Sequence, residues 1–220
     1  MSLKLKPTFI TNEIEIIAAF YQKQEQLIES MEENFHQHVD EHITQSWSQL
    51  CAGYGEIQER RIEIVAGLTN EEYDLQELFT KVMPLYHRSS VLMSLWGAFE
   101  NELTSAFNHF SKSDNGPAKL PNKPRGKSSI WHLIDQINKL VHIPTTEENF
   151  KSSFGFLDEQ ARHVRNTWAH EHGRISGLKI NYEKLGLSES YGQLVLTKAF
   201  IQKVIMSMYE IGTVINSKVN

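Results

Sequence analysis

The sequence predicts an all-α protein: an up-and-down helical bundle with long N-terminal helices and a short irregular or hairpin excursion before the last helix. Apolar residues recur at steps of three or four over most of the 220 residues, the spacing that lines one face of a helix. Capping pairs and Gly or Pro punctuate these series at both ends. Alternation of apolar and polar residues is confined to one stretch, 174–197. The chain is read as an N-terminal helical segment, 1–68, that packs on or projects from a bundle spanning 69–220.

Asn12 with Glu15 has the form of an N-cap and its partner. Ile14, Ile17, Tyr21, Ile28, Met31, Phe35, Val39, Ile43, Trp47 and Leu50 then follow as one long amphipathic helix. Gly53 and Gly55 predict a bend near Cys51 to Gly55, and Ile57, Ile64 and Val65 resume a second segment up to Gly67. In HQHVDEH, His38 and His42 are four apart beside Glu41, a spacing that holds a metal on one helical face or else belongs to a solvated surface. No second ligand cluster accompanies it, so no metal and no cofactor are assigned. Cys51, the single cysteine, reads as a small buried hydrophobe.

Thr69 with Glu72 forms a capping box for a helix through Leu75, Leu78, Phe79 and Val82, which Pro84 kinks or ends. From Leu85 a broad stripe of Val91, Leu92, Leu95, Trp96, Phe99, Leu103, Ala106, Phe107 and Phe110 marks a core helix. Residues 111–127, rich in Pro, Gly, Lys and Ser, read as a mobile loop. Ser128 or Ser129 then caps a helix that turns Ile130, Leu133, Ile134, Ile137 and Val141 inward. Pro144 closes it, and Thr145 with Glu148 boxes the start of the next. Phe200, Ile201, Val204, Ile205, Met208, Ile211 and Ile215 define the final helix, from about Lys198.

Net charge is −5, which argues against a general nucleic-acid coat protein, but the charge is uneven. Residues 11–50 hold eight acids against one Lys, whereas 115–134 hold Lys119, Lys123, Arg125 and Lys127 with no acid. That strip either meets RNA phosphates or is a solvated loop. No apolar run approaches the roughly 18 residues that cross a membrane, and MSLKLKPTF lacks the apolar stretch of a secretion signal. A cytoplasmic location without membrane partners is expected.

The helix from Phe150 to Gly173 carries the chemistry. Phe150, Phe154, Leu157, Ala161, Val164 and Trp168 form its core stripe, which leaves Asn166 and His170, four apart, on another face with Arg165 able to reach them. Arg, Asn and His without a nucleophile, a carboxylate dyad or a Gly-rich phosphate loop suit phosphodiesters better than esters or peptides. Cleavage of RNA by its own 2′-hydroxyl needs a base, an acid and positive charge at the phosphate. Histidine supplies the first two roles and arginine the third, with no metal required. A two-fold dimer would bring a second histidine to the site, as would His163 or His172 within one chain. Arg162 and His172 flank the motif and join Lys123, Arg125 and Lys127 as RNA-binding candidates. Glu100 is either a solvated charge or the group that orients a cation of this helix.

RNTWAH, Arg165 to His170, resembles the R-x4-H motif of the HEPN superfamily, in the form that begins Arg-Asn and ends Ala-His. RSSVLMSLWGAFENEL, 88–103, resembles the preceding core helix of that family, in which an apolar run leads into a Glu. The resemblance covers about residues 70–216. It implies an α-helical bundle, commonly a homodimer with a composite cleft, that acts as a metal-independent endoribonuclease in toxin–antitoxin pairs, abortive infection or related RNA defence. Arg165 and His170 match its catalytic pair, Asn166 its polar position after the Arg, and Glu100 the acid of the preceding helix. Partners expected on this basis are RNA, a second copy of the chain, and an antitoxin or other regulatory protein. Where HEPN toxins silenced by nucleotidylation often carry Tyr, two positions past the motif His, this chain has His172. The alternative is a non-catalytic HEPN-like module that binds RNA or a nucleotide or mediates protein interaction.

Overall fold

The computed structural model describes residues 10–49, 55–113, 117, 119–178 and 180–218. The expectations for Cys51 and for the bend next to it lie outside these residues. The described chain is mostly helical and carries two small antiparallel sheets, so it is not purely α. No described helix is long and apolar enough to cross a membrane. Backbone contacts divide the chain into two units, Lys23–Tyr86 and Met1–Gln22 with His87–Asn220.

In the smaller unit the expected long N-terminal helix is replaced by a helix and a β-ribbon. Helix α1 runs Asn12–Asn34 and a 3-10 turn, Phe35–His38, ends it. Strand β1, Asp40–Gln49, then pairs antiparallel with β2, Gly55–Val65, and β3, Leu68–Thr69, adds two residues to the outer side of β2. The difference has a simple physical cause. Val39, Ile43 and Trp47 are spaced by four, which fits a strand's period of two as well as a helical turn, and Ile57, Ile62, Ile64 and Val65 are β-branched. His38 and His42 therefore do not share a helical face: His38 lies in the 3-10 turn with Nε2 3.4 Å from the Ser30 hydroxyl, and His42 lies in β1.

The unit's core is Phe35, Val65, Leu75 and Phe79, with Met31, Val39, Leu68 and Leu78 packed against it. Thr69 does not cap a helix. Its carbonyl accepts the N–H groups of Glu72 and Tyr73 in a turn, and Asp74 caps helix α2, Leu75–Glu77, by accepting the Glu77 N–H at 2.9 Å. A π turn, Leu78–Val82, follows and runs directly into α3, Met83–Ser113, so Pro84 lies within a continuous helical run and withholds one N–H from the carbonyls of the turn before it.

In the larger unit the expected stripes are the core. Phe99, Phe107, Leu92, Leu95 and Leu103 of α3 are fully buried, as are Ile130 and Ile137 of α4, Ser129–Val141, and Ile201, Val204, Met208, Ile211 and Ile215 of α7, Lys198–Asn216. Ser128 caps α4, accepting the Trp131 N–H at 2.9 Å. The Thr145–Glu148 box is absent: α5, Glu148–Gly155, starts from Glu147 without a side-chain cap. A π turn, Phe156–Ala161, joins α5 to α6, Arg162–Glu171, and its extra residue buries Phe156 as well as Leu157. The Phe156 ring meets Phe200 of α7 edge-on at 5.8 Å, and the Ser153 hydroxyl donates to Glu210.

The first turn of α1 is capped from a distance, while Glu15 accepts the Thr11 hydroxyl at 3.4 Å. Glu102 of α3, 5% exposed, accepts the Thr11 N–H at 2.8 Å on one oxygen and the Glu13 N–H at 2.7 Å on the other. Asn216 of α7 fastens the same turn by donating to the Ile10 carbonyl at 2.5 Å and accepting the Ile10 N–H at 3.2 Å. Burial raises the Glu102 carboxyl above the usual carboxylate range, against the two N–H groups that favour its charged form, while Glu13 and Glu15 push it further up. Burial, with Glu15 and Glu102 behind it, likewise raises the Tyr209 phenol.

Candidate nucleic-acid interface

Helix α6 buries Val164, Thr167 and Trp168, leaves Arg165 and Asn166 half-buried, and exposes His170. The predicted core stripe is thus inward, with Phe154 half-buried and stacked on Phe150 at 6.3 Å. The helix ends at His172, which takes a left-handed conformation (φ 52, ψ 37), and at Gly173 (φ 80). Both N–H groups turn back to the Thr167 carbonyl, that of Gly173 at 3.1 Å. Gly173 has a second reason to be glycine. A Cβ there would stand 2.7 Å from Cζ2 of Trp168.

A hairpin of β4, Ser188–Ser190, and β5, Gln193–Val195, holds this end in place. The Gly173 carbonyl accepts the Leu194 N–H at 2.8 Å, the His172 carbonyl accepts the Gln193 side chain at 3.1 Å, and the Ile175 N–H donates to Gly192 at 3.1 Å. The excursion expected at 174–197 is therefore the brace of the motif. Its Tyr191–Gly192 turn, with φ of 51 and 76, is the signal the sequence offers for it.

Arg165 lies over the Trp96 ring, with its guanidinium carbon 5.8 Å from the centroid, and donates through Nη1 to the Asn166 side-chain oxygen at 3.0 Å. Its Nε is buried without a hydrogen-bond partner. Glu100 is not bonded to Arg165 among the described residues; it accepts the Trp96 indole N–H at 3.2 Å and so fixes the ring on which the arginine rests. Trp96 reads as a core residue in the sequence. Its place four residues before Glu100 on one helix face is the signal for this second role.

Arg162 is used differently. Its Nε donates to the Asp158 carbonyl at 2.8 Å and lies 3.5 Å from the Asp158 carboxylate, which also accepts the Ser128 hydroxyl. Ser128 closes the basic loop, so that loop reaches the start of α6 through Asp158. Lys123, Arg125 and Lys127 are exposed; Lys123 donates to the Lys127 carbonyl at 2.6 Å and Lys127 stands 4.3 Å over the Trp131 ring. Buried His132 anchors the loop, its Nε2 2.8 Å from the Pro121 carbonyl. The structure therefore joins the loop to Arg162, and Arg165 to Asn166, Trp96 and Glu100. Among the described residues no bond joins either group to His170 or His172, which are exposed at the helix end.

No family model, curated protein or solved structure matches this chain.

Proposed function

We propose that the end of α6 is an RNA phosphodiester site and that the protein is a metal-independent endoribonuclease of the HEPN kind. The observation that carries this reading is Arg165: a half-buried guanidinium with a buried Nε, no carboxylate partner among the described residues, and a fixed seat on Trp96, on a helix whose end exposes His170. A cation placed this way is prepared for an anion that arrives from outside, and a phosphate matches its planar fork. In the reaction the 2′-oxygen forms a bond to phosphorus and loses its proton to a base, while the bond to the 5′-oxygen breaks and that oxygen takes a proton from an acid. The products are a 2′,3′-cyclic phosphate and a 5′-hydroxyl. His170 performs one of the proton transfers.

Arg165 and His170 are five residues apart, about 140° round an ideal helix. A composite cleft, in which two copies of α6 share one phosphate, accommodates that separation and supplies the second histidine. Lys123, Arg125 and Lys127, exposed on the loop that Asp158 ties to Arg162, and exposed His172 are further candidates for phosphate contact. A role in toxin–antitoxin or antiviral RNA defence, in the cytoplasm and under a regulatory partner, belongs to the same proposal.

The second reading is a non-catalytic HEPN-like module that grips RNA or a nucleotide. The hydrogen bond from Arg165 to Asn166 favours it, because one arm of the fork is already engaged. Incubation of total RNA with the protein in EDTA, wild type against His170→Ala, separates the two. The proposal expects 2′,3′-cyclic ends from the wild type only. Salt-sensitive RNA binding with no product from either protein would establish the binding module instead.

A further inference from the structure

Where the basic loop enters α4, an aromatic face stands among cations. Residues 119–134 carry Lys119, Lys123, Arg125 and Lys127 and no acid. The part of the loop next to α4 has a defined course. The Lys127 N–H donates to the Pro124 carbonyl at 3.3 Å across a turn whose third residue, Gly126, takes φ 84, a value that suits glycine. Lys123 braces that turn, its Nζ donating to the Lys127 carbonyl at 2.6 Å, and buried His132 holds Pro121. Lys123, Arg125 and Lys127 are thus presented by a shaped backbone, and all three are exposed. Two acids border them, and each is engaged: Asp135 pairs with Lys139 at 2.6 Å, and Asp158 holds Arg162 and Ser128.

Trp131 follows in the first turn of α4. Its neighbours Ile130, His132, Leu133 and Ile134 are buried, whereas Trp131 is only half-buried and has the Lys127 ammonium 4.3 Å from its ring centroid. A flat ring next to exposed cations is the arrangement that takes a single nucleic-acid strand, with a base on the ring and phosphates on the cations. The magnitudes favour the base over the lysine. A cation over an exposed aromatic ring is worth about two- to fivefold in an equilibrium constant, and a base stacked there about five- to a hundredfold. A base therefore displaces the Lys127 ammonium, which moves to a phosphate. Duplex RNA keeps its bases stacked on one another and offers its backbone and minor groove instead, so it gains from the cations but not from the ring.

We propose that Trp131 is a base-stacking platform which, with Lys123, Arg125 and Lys127, selects single-stranded RNA over duplex. This rests on the reading of the protein as one that engages RNA and names the form of RNA it takes. The test is fluorescence anisotropy of a labelled oligoadenylate in EDTA, in the His170→Ala background so that the strand survives, with folding followed by circular dichroism. The single strand should bind about tenfold more tightly than the same strand annealed to oligouridylate, and about tenfold more tightly than an abasic strand of equal length. Trp131→Leu should weaken binding of the single strand about tenfold and leave the abasic strand unaffected, and Trp131→Phe should recover most of the loss. Lys127→Met should instead lower the slope of binding against salt by about one, which Trp131→Leu leaves unchanged. Equal binding of the oligoadenylate and the abasic strand, equal binding of single strand and duplex, or no binding of RNA would overturn the proposal, as would a folded Trp131→Leu variant that binds like its parent. Cleavage by the wild type in EDTA reports on the end of α6 alone, so failure of the one is read separately from failure of the other.

Discussion

Arg162 and Arg165 stand on the same helix, one turn apart, and are treated in opposite ways. Arg162 has a carboxylate, Asp158, which also receives Ser128, so that corner is an internal tie between α4 and the start of α6. Arg165 has an indole and an amide instead, and one of its nitrogens is buried unbonded. Among the described residues no carboxylate offsets that half-buried charge, an arrangement that is expensive for the folded state. The contrast teaches that charge count along α6 is a poor guide to function; the partner each charge has been given is a better one.

The strongest way to break the contrast is to remove each member in turn. Arg165→Ala and His170→Ala should each lower RNA cleavage by at least about a hundredfold, with thermal unfolding within a few degrees of wild type for His170→Ala. Equal loss from Arg162→Ala would mean that the two arginines are not distinguished. Next in size is Gly173→Ala, since a Cβ there meets the Trp168 ring and the backbone has φ 80. Chemical denaturation should show a loss of about 2 kcal/mol, and an unchanged stability would mean that the helix end is not held as described.

Glu102→Gln probes the cap on the first turn of α1. Because burial raises the folded-state pKa of Glu102, its contribution to stability is fully present below the unfolded value, 4.5, and is lost as pH rises through the raised folded value. Glu102→Gln cannot titrate and keeps one of two acceptors, so it should be less stable than wild type by about 1 kcal/mol near pH 4. The gap should narrow towards pH 8 in denaturant titrations, and a gap that widens would reverse the sign of the shift. The smallest effect is expected of Arg162→Ala, about 0.5 kcal/mol in stability, the ordinary size for a partly exposed ion pair, with cleavage within about threefold of wild type.

The helices of the larger unit were legible because seven apolar residues of α7, and the stripe from Leu157 to Trp168, repeat at helical spacing that no strand accommodates. The ribbon was not legible: Val39, Ile43 and Trp47, four apart, satisfy both periods, and burial of Val65 by Phe35 and Phe79 decides between them only in three dimensions. At the site, Arg165, Asn166 and His170 stood out as polar residues beside a core stripe, whereas the seat of Arg165 did not. Trp96 is 69 positions away in the chain, and nothing local marks its ring as a platform rather than a core side chain. Glu102 is likewise hidden, since its two N–H partners at Thr11 and Glu13 are remote in sequence.

The central claim is that this site uses the RNA's own 2′-hydroxyl as nucleophile. A defined RNA, cleaved by the protein in EDTA and then resynthesised with a single 2′-deoxy sugar at the scissile nucleotide, tests it most directly. The account predicts that cleavage at that position disappears while binding of the RNA is retained. Cleavage that continues at the deoxy position would contradict it.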